Sequence, residues 1–143
     1  MRLDAYVYCN RMRLPFATPT PGVSIDDRTG VIDFDNADLY RQFADQVVAA
    51  HHRLGNVASV AQLAKEVRRA IGAELPIITN TVLGSGAHCG DLVELGQVDA
   101  LEQELQVLDA TPVEHSCLMD EFLSQMRELV AAARAEQNPI YFG

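Results

Sequence analysis

His51-His52-Arg53-Leu54-Gly55-Asn56 is the phrase on which the organisation of this chain turns. Upstream of it, Leu39, Tyr40, Phe43, Val47 and Ala50 recur at helical spacing, behind Asp35 or Asn36, whose side-chain oxygens suit a helix cap. Downstream, Val57, Val60, Ala61, Ala64, Val67 and Ile71 mark the apolar stripe of a helix that stops at Gly72. The spacing therefore predicts two helices with a tight joint, the first running to about residue 53. Gly55 would end that helix in a left-handed conformation, and Asn56 would cap the next. His51 and His52 would then sit in a last helical turn, where an imidazolium favours the negative end of the dipole.

Working outward, Leu3-Asp4-Ala5-Tyr6-Val7-Tyr8 has the aromatic and β-branched content of a strand. Pro15, Pro19, Pro21 and Gly22 make the following stretch a loop. Val23-Ser24-Ile25 and Val31-Ile32-Asp33-Phe34 flank an Asp-rich segment that closes on Gly30, which reads as a hairpin. The apolar run Ile77 to Leu83 predicts a central strand, with Asn80 interrupting it, and Leu92 to Leu95 a short strand or turn. Val98, Leu101, Leu105 and Leu108 define a short acidic helix. Leu118, Phe122, Met126, Leu129, Val130 and Ala133 define a last one, from about Cys117 to Ala135. Ile140-Tyr141-Phe142 adds a terminal edge strand, open to pairing with another chain. This succession predicts one α+β domain over residues 1–143, with a small mixed β-sheet packed with about four helices.

At 143 residues, 48% apolar and 22% charged, the chain is long enough to bury a core and too apolar for wholesale disorder. No apolar run approaches the roughly 20 residues of a membrane span, so no membrane partner is expected. The early acid in Met1-Arg2-Leu3-Asp4-Ala5 argues against a secretory signal, and Cys9, Cys89 and Cys117 form no disulfide or zinc-knuckle pattern. A cytoplasmic location is the expectation. The net charge of -9 is uneven: residues 1–72 carry 9 basic and 8 acidic side chains, residues 73–143 only 2 basic against 12 acidic. Such a C-terminal half repels nucleic acid and suits a basic protein partner.

The stretch Gly84-Ser85-Gly86-Ala87-His88-Cys89-Gly90-Asp91 concentrates chemistry: an imidazole, a thiol and a carboxylate among three glycines. Its GxGxxxG spacing lacks the immediate helix and the Lys or Ser/Thr of a phosphate-binding loop. His51, His52, His88, Cys89, Asp91, His115 and Cys117 are the possible metal donors, and imidazole with thiolate would suit zinc. No HExxH or CxxC spacing is present, so zinc is not the expected cofactor. Cys89 with a histidine base is a further possibility, but nothing in the sequence brings the groups together. The ordinary alternative is a rigid corner in which His88 and Asp91 bond local backbone.

The phrases His51 to Asn56 and Gly86-Ala87-His88-Cys89-Gly90-Asp91, with the opening Leu3 to Cys9 and the late Met126-Arg127-Glu128-Leu129-Val130, resemble a group of small bacterial proteins of unassigned function. These pair an "HHRLGN" joint with a "GxHxGD" loop. In size and acidity the chain is also similar to immunity proteins of bacterial toxin systems, a likeness of type that implies a compact acidic binder. Two expectations follow. The chain is an acidic binding module whose second half, around Asp99, Glu102 and Glu104, docks on a basic partner such as a toxin. Alternatively it is a small enzyme or ligand-binding protein. Its site would draw on His51, His52, Arg53, Asn56, His88, Cys89 and Asp91, the histidines as acid/base groups or ligands and Arg53 as an anion contact.

Overall fold

The computed structural model describes residues 2–70, 75–84, 91–111 and 114–143. Strand β1 (Arg2–Tyr8) buries Leu3, Ala5 and Val7, each at most 3% exposed, and turns Tyr6 and Tyr8 to the other side. After the Pro-rich loop, β2 (Val23–Ile25) and β3 (Ile32–Phe34) form the expected antiparallel hairpin as a separate two-stranded sheet. Helix α1 (Ala37–Phe43) begins as expected at Asn36, whose side chain accepts the amide of Leu39.

The helix does not continue to residue 53. It ends at Phe43, and β4 (Val48–Asn56) is the longest strand described, antiparallel to β1 with Tyr6 opposite His51 and Ala5 opposite His52. The tight joint between two helices is therefore a strand running into a helix. The reason is visible in burial: Ala50, His52 and Leu54 turn inward while Ala49, His51 and Arg53 are exposed, a period of two. β1 also needs a partner for its backbone, and Cys9 begins the match by donating to the Val47 carbonyl at 2.8 Å.

Gly55 lies at the strand's end with φ +151°, a conformation open to glycine rather than a left-handed helix stop. A Cβ there would sit 2.9 Å from Ser59 Oγ and 3.0 Å from Ser59 Cβ. Gly55→Ala is expected to cost about 1–2 kcal/mol in urea denaturation. Gly96→Ala, where a Cβ meets nothing within 4 Å, serves as the near-neutral control.

Helix α2 (Val57–Ala70) follows, capped by Asn56 as expected. Its buried stripe is Val60, Leu63 and Val67, rotated from the predicted one so that Leu63 is fully buried and Val57 is exposed. The expected stop at Gly72 lies outside the described residues. Ile77–Val82, predicted as a central strand, is a short wide helical segment in which Leu83 donates to Ile78 at 2.8 Å. Pro76 and the Glu104 carboxylate, which accepts the amides of Ile77 (3.2 Å) and Ile78 (3.0 Å), start the segment. Asn80, which interrupted the apolar run, is on its exposed side.

Strand β5 (Asp91–Val93) leads to helix α3 (Val98–Asp109) and then α4 (Cys117–Glu136), capped by Ser116 and closed by left-handed Gln137. Beyond Asn138-Pro139, β6 (Ile140–Phe142) joins the main sheet, whose order is β4-β1-β6-β5. β6 is thus interior, not the expected edge: Tyr141 pairs with Tyr6 on one side and Leu92 on the other. All strand pairings among the described residues are antiparallel. Helices α2 and α4 cover the face carrying Leu3, Ala5 and Val7, and α3 packs on α4 and the Ile77–Val82 segment. The class is α+β, with one continuous core containing Phe122, Met126 and Leu129 of α4 and both Ile140 and Phe142 of β6. No helix among the described residues is long and apolar enough to cross a membrane.

Candidate functional site

The strand assignment of 48–56 separates the adjacent histidines, because successive side chains leave a strand on opposite faces. His52 turns to the helix side, its Nε2 2.5 Å from the Glu128 carboxylate of α4. His51 turns to the opposite side, its Nε2 3.0 Å from Asp4 Oδ1 and its ring stacked on Tyr6 at 4.4 Å and 5°. The Asp4 side chain is only 5% exposed, and it is held by Arg2 Nε at 2.9 Å as well as by His51. Two partners compensate for taking this carboxylate out of water.

The other predicted residues scatter. Arg53 is exposed, and its carbonyl accepts from Gln125 at 3.4 Å. Asn56 is committed to the α2 cap, accepting from Ser59 N at 2.9 Å and Ser59 Oγ at 2.8 Å. Both line an open groove of about 260 Å³ with Glu121 and Gln125 of α4. Asp91 opens β5, on the opposite edge of the sheet from β4, roughly 14 Å away across three strand spacings. His88 and Cys89 lie outside the described residues. Among the described residues, no group of three or more His, Cys, Asp or Glu side chains is placed to hold a metal ion. Cys9 is half-buried, and burial, with Glu136 adding to it, pushes its thiol up, away from a reactive thiolate.

The three acidic residues assigned to partner docking all have internal work. Arg134 of α4 binds Asp99 at 2.6 Å and Glu102 at 2.5 and 3.1 Å, and this hydrogen bonding holds the Glu102 carboxyl below its usual range. Glu104 holds the start of the Ile77–Val82 segment.

A different group was missed. Tyr6 and Tyr8 share the outer side of β1, and the register of β6 places Tyr141 beside Tyr6, with centroids 6.4 Å apart. Tyr40 of α1, 61% exposed, sets its ring edge-on to Phe34 of β3, with centroids 6.3 Å apart. Burial pushes the Tyr8 phenol up to about 12, with Tyr6 and the Asp33 carboxylate adding to it. Burial and then Asp4 raise Tyr6. These are all the tyrosines the chain has. The signal was present in the i, i+2 spacing of Tyr6 and Tyr8 on a strand, which puts both on one face.

Comparison of the chain with protein-family models, curated proteins and solved structures finds no match in any of the three.

Proposed function

We propose that this chain is an acidic cytoplasmic binding module that engages a basic protein partner, in the manner of an immunity protein neutralising a basic toxin. The observation that carries this reading is how the helical half spends its cations. Arg127 is taken by Asp109 at 2.6 Å, and Arg134 by Asp99 and Glu102. These are the only Lys or Arg side chains in residues 73–143. Exposed carboxylates such as Glu114 and Glu121 are left without a basic side chain in this half to offset them. A surplus of one sign speeds encounter with the opposite sign and excludes wrong partners.

The test is capture of a partner from the native host by the immobilised chain, followed by association kinetics. The on-rate is expected to fall on the order of tenfold from low to high salt, with the off-rate changing less. Glu114→Lys with Glu121→Lys should slow association in the same sense. Binding that is indifferent to salt, or no stable protein partner, would remove this reading.

A further inference from the structure

We propose that the outer edge of β4, at His51 and Arg53, is a strand-docking site. An extended segment of a partner protein, with a carboxylate on one face and aliphatic side chains on the other, adds there to the four-stranded sheet. The inference stands apart from the acidic-module reading, which concerns the helices.

The longest strand described, β4, ends the sheet order with β1 as its neighbour. Its open edge follows from the ladders. Asp4 exchanges both backbone groups with Gly143, at 3.3 and 3.0 Å, so they face the β6 side. Antiparallel alternation then turns those of Ala5 and Val7 toward β4, where they meet His52 and Ala50. The N–H and C=O groups of His51 and Arg53 therefore point away from the sheet. Among the described residues no backbone group of another segment meets them. The Arg53 carbonyl instead accepts the side-chain amide of Gln125, at a long 3.4 Å. That is where the N–H of an added strand would donate. Register shifts flank the regular stretch 50–53 without interrupting it, and β4 holds no proline or lysine to guard its edge.

Side chains choose the occupant. Residues directly opposite in an antiparallel ladder share a face, so the one opposite Arg53 stands beside its guanidinium. Arg53 is exposed and has no carboxylate partner among the described residues, whereas Arg2, Arg13, Arg127 and Arg134 each have one. A carboxylate on the added strand completes that pair. Alternate residues of the same strand turn to the helix side, over the open groove of about 260 Å³ between the end of β4 and α4. Half-buried Leu118 and the buried Phe122 line it and suit an aliphatic side chain, while Glu121 in the same lining repels a second carboxylate. β4 itself contains no Asp or Glu, so the same strand of a second copy brings no carboxylate to Arg53.

The experiment titrates the full chain with a capped peptide that alternates valine with glutamate and threonine. The controls carry lysine in place of glutamate, or a methyl on the glutamate backbone nitrogen. The glutamate peptide is expected to slow hydrogen exchange at the His51 and Arg53 amides, while those of Ala50 and His52, already in the β1 ladder, change little. It should bind about fivefold more tightly than the lysine peptide, and N-methylation should weaken it by about tenfold. Arg53→Glu should reverse the preference between the glutamate and lysine peptides, which a loss of folding would not do. Equal binding of the two peptides, or an N-methylated peptide as tight as its parent, overturns the site. So does protection of the same two amides without peptide in a concentration-dependent dimer, because a second copy then holds the edge. Absence of peptide binding also overturns it, and leaves the salt dependence of partner capture to judge the acidic-module reading by itself.

Discussion

Removing Ile140–Gly143 is expected to leave the chain without a cooperative unfolding transition in a thermal melt. β6 is three residues long, yet it forms ladders with both β1 and β5, and its Ile140 and Phe142 are completely buried. Among the described residues, β5 has no other strand partner in the sheet order. Truncating one fully buried phenylalanine costs about 3–5 kcal/mol, and losing two large core side chains with two ladders exceeds the ~5–15 kcal/mol of a typical domain or comes close to it. Phe142→Ala alone should therefore lower unfolding free energy in urea by about 3–5 kcal/mol. A dispensable edge strand would give a change below about 1 kcal/mol and an intact transition after truncation.

The second large effect concerns Glu104. Its two carboxylate oxygens accept the amides of Ile77 and Ile78, residues with buried side chains, through partly buried hydrogen bonds. Glu104→Ala leaves two partly buried donors without this acceptor and is expected to cost about 2–4 kcal/mol, since each unpaired donor costs ~1–3 kcal/mol when buried. Glu104→Gln keeps one acceptor oxygen and should cost roughly half as much. Chemical denaturation separates the two variants. A Glu104→Ala protein as stable as the parent would show that the segment holds its start by other means and would return Glu104 to the list of free surface carboxylates.

These expectations depend on what the sequence does and does not disclose. β1, the hairpin, α2, α3 and α4 are legible because each has one strong period and recognisable punctuation, such as Asn36, Asn56 and Ser116 at helix starts. Residues 48–54 mislead because alanine and histidine are at home on either face. Val47 and Ala50 thus complete a helical stripe begun by Leu39 and Phe43, although the chain has already left the helix. Ile77–Val82 misleads in the other direction. A short apolar run suits a buried strand or a buried helix equally, and the choice is made by Glu104, a carboxylate 26 residues away that no local pattern reveals.

The candidate site divides in the same way. The chemistry of His51 was legible, but its partner Asp4 lies 47 residues earlier and needs the β1–β4 register to be seen. Once 48–56 is a strand, His51 and His52 part company, and a shared pocket for both no longer follows. The tyrosine face required only that Tyr6, Tyr8 and Tyr141 be placed on adjacent strands, which needs β6 inside the sheet rather than at its rim.

That inside position also sets an order of events on the ribosome. β1 is made well before β6, and it must wait for residues 140–142 before its second neighbour exists. Until then the nascent chain can pair β1 with β4 and raise α2, but the inner surfaces of these elements stay uncovered by α4 and β6. A long dwell with unsealed apolar surface is the condition under which chains recruit chaperones or aggregate, so synthesis rate and chaperone supply should govern the yield of this protein more than its final stability does.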